Sequence, residues 1–165
     1  MNKIVFAGGC FWGVEAYFNK LKGVINATSV YVNGNKENPT YEEVCNGIAT
    51  HAEGVLVKYN EYISLNTLLN HFFRFVDPYS INKQGNDVGI QYRSGIYYYK
   101  EEDGKTIKKY IDNLQNKTTK KIVVEIDKVH NIYNAEEYHQ RYLEKNPNGY
   151  CHINLNLIKE DELKD

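Results

Sequence analysis

Apolar side chains along the first half of the chain alternate between the spacing of strands and the spacing of helices. Residues 3–7 and 27–32 are short apolar or β-branched runs, and residues 53–59 alternate apolar and polar positions, so the pattern predicts three strands. Residues 10–21 and 65–76 instead repeat apolar side chains every three to four positions, which predicts two amphipathic helices.

The second half of the chain continues this alternation. Residues 91–99 and 120–126 predict two strands, and residues 104–116 predict a helix between them. A capped helix is predicted over about 134–145, and the acidic residues 154–165 are expected to form a frayed tail. The elements are too few and too short for a doubly wound sheet. The pattern therefore predicts an α+β fold, a two-layer sandwich whose mixed sheet has a ferredoxin-like (split βαβ) core.

Composition narrows the class of protein. The chain has 165 residues, 42% hydrophobic and 25% charged, and is predicted to form one domain over residues 1–165. The formal net charge of −1 gives no global field that favours nucleic acid or an anionic membrane. No apolar run approaches the roughly 20 residues that span a bilayer, and the N-terminal residues make a poor signal peptide. We therefore expect a cytoplasmic protein that acts as a monomer.

The chain has three cysteines, Cys10, Cys45 and Cys151, an odd and low number that excludes a disulfide scaffold. No C-x-x-C pair occurs, so the usual spacing of a structural zinc site or of a thioredoxin-type dithiol is missing. In a reducing compartment each cysteine is either an inert core residue or a reactive thiol.

Cys45 belongs to a short predicted helix. Thr40 and Glu43 have the spacing of a capping box at the start of this helix. On the helix, Cys45 shares one side with Tyr41 and Val44. That side is expected to face inward, so we interpret Cys45 as a packing residue.

Cys10 lies where a predicted strand, a Gly-Gly pair and a predicted helix meet. The partial positive charge at a helix N-terminus lowers the pKa of a thiol, and the thiolate is the nucleophile. This environment favours a reactive thiol over a buried structural cysteine. Phe11 is in register with the apolar stripe of the helix and is expected in the core, whereas Trp12 lies off the stripe and is a candidate for a pocket wall.

Two further segments carry polar side chains that suit chemistry. Glu53, at the start of an apolar strand, is either a proton donor with a raised pKa or a solvated strand-end charge. With His51 it forms an H-x-E pair, but the P-C-x-x-C ligands of a zinc deaminase are missing. The loop of residues 84–94 holds Asp87 and Tyr92, and is interpreted either as part of a site or as a turn beside a surface arginine.

Cys151 follows a glycine in the poorly structured segment NPNGYC. A thiol on a mobile loop is able to reach a distant sulfur. Cys10 and Cys151 would then be an attacking thiol and its resolving partner. The alternative is an incidental tail cysteine.

Five motifs in order along the chain resemble those of one enzyme family: GCFWG, PTYEEVCNG, HAE, QGNDVGIQYRS and YHQRYLEKNPNGYC. From Ile4 to about Ile153 the chain is similar to the class A peptide methionine sulfoxide reductases. Each motif is modest by itself, but five in order over one domain make a specific pattern. Enzymes of this class return methionine sulfoxide to methionine.

The resemblance implies an oxidoreductase that acts on methionine S-sulfoxide in proteins, and it leaves open whether the free amino acid is also a substrate. It implies that Cys10 attacks the sulfoxide sulfur and that a sulfenic acid forms on this thiol. Cys151 is implied to resolve the sulfenic acid as a disulfide, which thioredoxin then reduces. No metal or organic cofactor is implied.

The same resemblance implies the groups that hold the substrate. Glu53 is implied as the acid that protonates the sulfoxide oxygen. Tyr31 and Tyr92 are implied as the hydroxyls that hydrogen-bond this oxygen. The residues that are implied to bind the substrate, two rings for its methyl group and one supporting carboxylate, are Phe11, Trp12 and Asp87.

The chain departs from the usual pattern of the family at a few positions. The segment around Tyr31 is VYVNG, with Val30 and Val32, where the family usually has GYAGG, and Thr50 stands where glycine is commoner. No catalytic group is removed. The backbone near Tyr31 is expected to be stiffer, with a different pocket rim.

Two other functions stay open from the residues alone. A cysteine hydrolase would use His139 or His51 as the base for Cys10, although the chain is short for a papain-like fold and lacks its local signature. A non-enzymatic redox-sensing protein would form the Cys10–Cys151 disulfide without turning over a sulfoxide.

Overall fold

Six of the eight strands form one mixed sheet. The computed structural model describes all 165 residues. Its strands are β1 (Asn2–Ala7), β2 (Val24–Val32), β3 (Ala52–Tyr59), β4 (Lys83–Gln84), β5 (Asp87–Val88), β6 (Gly95–Tyr98), β7 (Glu125–Lys128) and β8 (Ile132–Asn134). The sheet has the order β7-β6-β1-β3-β2-β8, and only its β6–β7 pair is parallel. Strands β4 and β5 form a separate hairpin.

The longer helices pack on one face of this sheet. The helices are α1 (Phe11–Asn19), α2 (Tyr41–Cys45), α3 (Leu65–Phe75), α4 (Glu101–Gln115) and α5 (Tyr142–Lys145). Side chains of α1, α3 and α4 join inward side chains of β1 and β3 in a main cluster of 28 buried residues. The opposite face carries a smaller cluster of six buried residues. None of the helices combines the length and the apolar character needed to cross a membrane.

The central elements confirm the predictions made from the apolar pattern. The three predicted strands correspond to β1, β2 and β3, and the two amphipathic helices correspond to α1 and α3. Ser64 caps α3 by accepting the backbone N–H of Thr67. Thr40 and Glu43 form a reciprocal capping box at α2. Local patterns predict these elements well because each has both an apolar stripe and a defined start.

Residues 91–99 do not form the single strand that their β-rich composition predicted. A 3₁₀ turn covers Ile90–Tyr92, and β6 covers only Gly95–Tyr98. Arg93 lies between the two, and its guanidinium donates to the carbonyl oxygen of Thr50 at 3.0 Å. Because this long-range bond holds residues 90–93 in a turn, it overrides the strand propensity of the segment.

Helix α4 and the strand that follows it differ from prediction in where they begin. The predicted strand over 120–126 is shifted, because β7 pairs with β6 only from Glu125 onward. The backbone N–H of Val123 instead binds the carbonyl oxygen of Pro78. The helix predicted over 104–116 is confirmed as α4, which begins earlier.

The helix predicted over 134–145 is interrupted. A 3₁₀ turn covers Glu137–His139, Arg141 has a left-handed φ of 52°, and α5 is only four residues long. The carboxylate of Glu15 in α1 accepts the backbone N–H of Arg141 at 2.6 Å. A buried acid on another element therefore breaks the helix, and no local capping pattern carries that information.

Residues 154–165 pack against the rest of the chain, so the expectation of a frayed tail was wrong. The carboxylate of Glu162 accepts two hydrogen bonds of 2.7 Å from the guanidinium of Arg74 on α3. Leu163 forms a β-bridge with Leu21. The acidic composition suggested a solvated tail. In the fold, however, the apolar residue Ile158 packs in the core and the acidic Glu162 is paired with Arg74.

Candidate active site

Cys10 lies at the junction of β1 and α1. Gly9 before it has a φ of 87°, and a Cβ there would come within 2.8 Å of Nε2 of His152, so the turn requires glycine. Cys10 is the N-cap residue of α1, and its backbone N–H donates to Oδ2 of Asp87 at 3.3 Å. Because Cys10 is only 7% exposed, its sulfur is accessible only from a confined site.

The pKa of the Cys10 thiol is raised, whereas the sequence analysis expected the helix N-terminus to lower it. Burial is the largest cause, and the charge of Glu53 is the second. The backbone N–H of Trp12 lowers the pKa of the thiol, but by less than burial and Glu53 raise it. The thiol is therefore protonated at neutral pH in the resting site and must lose its proton during the reaction.

Glu53, at the start of β3, is a buried acid with one free oxygen. It is 1% exposed. Its Oε1 accepts the backbone N–H of Phe11 at 3.2 Å, while its Oε2 is buried without a hydrogen-bond partner. Burial raises the pKa of Glu53 to about 8, and the Phe11 hydrogen bond only partly offsets this. The carboxyl is protonated at neutral pH, and Oε2 is the oxygen left to carry the proton.

The hydroxyl of Tyr31 is engaged outside the site. It donates to Oε1 of Glu136 at 2.7 Å, and the other oxygen of the same carboxylate accepts the backbone N–H of Tyr41 at 2.8 Å. A phenol has a single proton, so Tyr31 has none left for a ligand oxygen. Burial and this hydrogen bond raise the pKa of Tyr31. Its fully buried ring packs on Phe11, with ring centroids 5.7 Å apart.

Two other phenols lie near the Glu53 carboxyl. Burial, the neighbouring Cys45 thiol and the charge of Glu53 raise the pKa of Tyr41. Burial and the charges of Glu53 and Cys10 raise the pKa of Tyr92. Such charge effects require short separations. The charge of Glu53 acts in the same way on Tyr31, but the Tyr31 hydroxyl is already bound to Glu136. The candidate donors near the acid are therefore Tyr41 and Tyr92, and Tyr31 of the implied pair is replaced.

The loop between α3 and β6 positions Asp87 and Tyr92. Gly89 has a φ of 146° and directly precedes the 3₁₀ turn that carries Tyr92. The guanidinium of Arg93 donates to the carbonyl oxygens of Asn33 and Thr50, on the two loops that flank the site. The side chain of Arg93 is only 18% exposed. The interpretation of this residue as a surface arginine is therefore wrong, because it anchors the loop.

Phe11 and Trp12 have different environments. Phe11 is fully buried, with its ring centroid 5.1 Å from that of His139. Trp12 stacks on Tyr142 with ring centroids 3.7 Å apart, and its Nε1 donates to Nδ1 of His139 at 3.0 Å. Trp12 is only partly buried, so of the two rings it has more surface left for a ligand.

Cys151 lies beside the first turn of α1, and Cys45 lies on the surface. A Cβ at Gly13 would be 3.1 Å from Sγ of Cys151, and the charge of Cys151 contributes to the raised pKa of Cys10. The two thiols are therefore neighbours in the folded chain. Cys45 is exposed because Val44 is the buried residue of α2, so the predicted packing of Cys45 is wrong.

The valines that depart from the family pattern face away from Cys10. Val30 and Val32 belong to the smaller cluster on the far face of the sheet. Tyr31 points to the main cluster, because successive strand residues alternate between faces. The valine side chains therefore do not reach the pocket rim.

No histidine hydrogen-bonds the thiol of Cys10. His139 is bound to Trp12, and His51 is fully buried with its ring against Gly34. A cysteine hydrolase needs its base within reach of the thiol, and neither histidine is placed in this way. No group of three or more His, Cys, Asp or Glu side chains is arranged to hold a metal ion.

Tyr41 and His152 are site residues that the sequence analysis did not assign. Tyr41 belongs to the motif PTYEEVCNG. The sequence analysis interpreted the capping box and the cysteine of this motif but gave its tyrosine no role in a site. His152 directly follows Cys151, and its Nε2 donates to the carbonyl oxygen of Gly8 at 2.8 Å. The motif was a usable signal for Tyr41, whereas nothing in the local pattern pairs residue 152 with residue 8.

Comparisons of sequence agree with this geometry. A family model described as peptide methionine sulfoxide reductase matches residues 2–165. The chain is 51% identical over 161 residues to the peptide methionine sulfoxide reductase MsrA of Ureaplasma urealyticum, and the match covers 97% of this chain and 98% of that protein.

Comparisons of structure point in the same direction. The reduced form of Mxr1 from Saccharomyces cerevisiae is similar with a TM-score of 0.85 at 40% identity, covering 90% of this chain and 87% of that one. Mxr1 in complex with Trx2 is similar with a TM-score of 0.60 at 30% identity, covering 85% and 83%. The fold described above is therefore more similar to the reduced form of the yeast protein than to its form in complex with Trx2.

Proposed function

The chain belongs to the peptide methionine sulfoxide reductase family, and on that premise we propose how its own residues carry out the thiol-dependent reduction of methionine sulfoxide. The observation that carries the proposal is the buried pair of Cys10 and Glu53, a thiol beside a protonated carboxyl with one free oxygen. A sulfoxide sulfur becomes electrophilic when its oxygen is protonated or strongly hydrogen-bonded. The pair supplies the acid and the nucleophile that this requires.

The sulfoxide group binds between the thiol and the acid. Oε2–H of Glu53 donates to the sulfoxide oxygen, and the hydroxyls of Tyr41 and Tyr92 donate to the same oxygen. Asp87 holds the Cys10 backbone N–H and so fixes the start of α1. The rings that enclose the methyl group are Phe11 and Trp12.

The first chemical step moves an oxygen atom from one sulfur to another. The Cys10 sulfur attacks the sulfoxide sulfur and forms an S–S bond, while Glu53 gives its proton to the oxygen and the thiol proton returns to the Glu53 carboxylate. The hydroxyl then passes to the Cys10 sulfur, so that the S–O bond of the substrate and the new S–S bond both break. Methionine leaves with its sulfur reduced by two electrons. Cys10 keeps the oxygen as a sulfenic acid and is oxidised by two electrons. Glu53 ends in its starting protonation state.

The second step forms a disulfide. The Cys151 sulfur attacks the sulfenic sulfur of Cys10, the S–O bond breaks, and the hydroxyl leaves as water with the Cys151 thiol proton. The position of Cys151 beside the first turn of α1 supports this step.

Thioredoxin then reduces the Cys10–Cys151 disulfide, and no metal or organic cofactor takes part. The yeast Mxr1 complex with Trx2 supports this partner. Cys10 is buried, whereas Cys151 is partly exposed and borders a surface cavity of about 440 Å³. The incoming thiol therefore attacks the sulfur of Cys151. The proposed location is the cytoplasm, because a reducing compartment suits this cycle. The proposed state is a monomer, because both thiols belong to one chain.

The arrangement of the sheet suggests the finer class of the fold. The segment β1-α1-β2-β3-α3-β6 is a βαββαβ unit whose strands have the order β6-β1-β3-β2. The proposed class is a ferredoxin-like core, with β7 and β8 added at its two edges, in a single domain over residues 1–165.

The function is tested with a thioredoxin-coupled assay on separated sulfoxide epimers, each offered free and in a peptide. Turnover of the S-epimer with the R-epimer inert is the expected result. Absence of turnover with both epimers would overturn the proposed activity. The ratio of the free to the peptide rate identifies the preferred substrate.

Glu53→Gln is expected to slow methionine formation by roughly 10²- to 10⁴-fold, the usual range for loss of a general acid. In the unsubstituted enzyme the carboxyl holds its proton below its pKa of about 8. Methionine formation should therefore decline as the pH rises through that value. Single-turnover rates on both sides of pH 8 measure this.

The Glu53→Gln profile should lack that decline because glutamine has no titrating proton. Glu61→Gln, a matched change at an exposed glutamate, is the control. An unaltered decline in Glu53→Gln would sink the acid role of Glu53.

Tyr41→Phe is expected to lower the rate of methionine formation, whereas Tyr31→Phe is expected to lower stability. Tyr41→Phe removes one donor to the sulfoxide oxygen and should slow methionine formation roughly 10²- to 10³-fold. Tyr31→Phe leaves Oε1 of Glu136 without its donor, so it should lower the free energy of unfolding by about 1–3 kcal/mol. Single-turnover assays and urea unfolding of both variants measure the two effects. Stronger slowing of methionine formation by Tyr31→Phe would reverse the assignment.

A further inference from the structure

The segment that carries Cys151 is tied to the Cys10 turn by the residue that follows the thiol. After Cys151, Nε2 of His152 donates to the carbonyl oxygen of Gly8 at 2.8 Å, and the His152 side chain is only 7% exposed. Before Cys151, the ring of Tyr150 stacks on the ring of His152, with centroids 6.4 Å apart. The residues on both sides of Cys151 are therefore held, His152 by a hydrogen bond and Tyr150 by this ring contact, and together they fix the path of the backbone at Cys151.

The two groups that face the His152 imidazole lie beside Cys10 itself. Gly8 stands two positions before Cys10, and Asp87 accepts the Cys10 backbone N–H through Oδ2. Nδ1 of His152 lies 3.8 Å from that same Oδ2, and it has no other hydrogen-bond partner. With its proton on Nε2, the imidazole is fixed in one orientation against the turn that carries the nucleophile.

The helix itself provides space for the resolving sulfur. Gly13 stands in the first turn of α1, and a Cβ there would come within 3.1 Å of Sγ of Cys151 and 3.3 Å of Cδ1 of Ile153. Sγ of Cys151 is directed to the carbonyl oxygen of Ile153 at 3.2 Å. A side chain at position 13 would displace the sulfur, so the absence of one leaves a space in which Cys151 sits.

We propose that His152 is a positioning residue for disulfide formation, which holds Cys151 in the space over Gly13 by fixing the neighbouring residue to the Gly8 carbonyl. This inference rests on the proposed two-cysteine cycle and assigns a residue to its second step. An intramolecular attack is fast when the reacting groups are already held close together. Without the imidazole, Cys151 would visit the attacking position only part of the time, and the Cys10 sulfenic acid would live longer.

The test compares the two steps in one turnover. His152→Ala is mixed with a peptide that contains methionine S-sulfoxide, without any reductant, and the reaction is quenched over time. Chromatography measures methionine, and titration of free thiols with intact mass measures the disulfide. The expected result is disulfide formation slowed roughly tenfold or more, with a much smaller change in methionine formation.

Three further variants make the result specific. His152→Gln keeps an N–H donor close to the position of Nε2 and should restore much of the disulfide rate. Gly13→Ala should slow the disulfide step like His152→Ala, although alanine by itself favours the helix. His130→Ala changes a histidine that is 60% exposed and bound only to Asp127 and Asn33, so it is the matched control.

The remaining outcomes overturn the proposal. An unchanged disulfide rate in His152→Ala means that the imidazole does not position the thiol. Equal slowing of methionine and of disulfide formation assigns His152 to the first step or to general stability. Failure of the proposed function is distinguishable, because the unsubstituted protein would then form no methionine, and the proposal would fall with it.

Discussion

Cys10→Ser forms no methionine from a peptide that contains methionine S-sulfoxide, even with excess thioredoxin; this total loss is the largest effect we expect. A serine hydroxyl is a far weaker nucleophile than a thiol and does not accept the sulfoxide oxygen with two-electron oxidation. The fold should survive, because Cys10 is the N-cap residue of α1 and serine is a favoured N-cap. Chromatographic assay of methionine together with thermal unfolding separates lost chemistry from lost structure.

The matched control for this variant is Cys45→Ser. Cys45 is exposed on α2 and takes no part in the proposed cycle, so turnover should be retained. Methionine formation by Cys10→Ser above the level without enzyme would mean that another thiol attacks the sulfoxide. Cys151, the neighbouring sulfur, would then be the first candidate.

Cys151→Ser should form about one equivalent of methionine per enzyme and then stop when thioredoxin is the only reductant. The first step does not use Cys151, so the initial turnover is complete. The sulfenic acid then has no partner thiol, and thioredoxin acts on a disulfide. A burst of product followed by a flat line is the kinetic signature, measured by quenched assays at several enzyme concentrations.

The stalled Cys151→Ser enzyme provides its own discriminating control. Intact mass should show one added oxygen, and a reagent specific for sulfenic acid should label Cys10. A small dithiol should restart turnover because it is able to reduce the sulfenic acid directly. Continued turnover with thioredoxin alone would contradict the two-cysteine cycle.

The central part of the fold was predictable because its signals are local. Strands β1, β2 and β3 and helices α1 and α3 each carry a continuous apolar pattern and a recognisable start. Prediction failed where a distant residue decides the backbone. Arg93 folds residues 90–92 into a turn through the carbonyl of Thr50, and Glu15 breaks the last helix at Arg141.

The candidate site divides in the same way. Motifs pointed to Cys10, Glu53 and Cys151, and the buried carboxyl has the raised pKa that a proton donor needs. The sequence did not reveal which tyrosines surround that acid. Tyr31 lies on a strand beside Glu53 but donates its proton to Glu136, whereas Tyr41, on a separate short helix, is a candidate donor whose pKa the charge of Glu53 raises.

The sequence by itself determined the family and the candidates for its chemistry, because the motifs point to the proposed nucleophile, acid and resolving thiol. Only the tertiary structure decided the protonation states of the site residues and their hydrogen-bond partners. Burial of Cys10 overrides the effect of the helix N-terminus on its pKa, and a hydrogen bond joins His152, the residue after Cys151, to Gly8. The physical reason is that charge state and hydrogen-bond partners depend on groups far apart in the chain. A pattern of neighbouring residues carries no information about them.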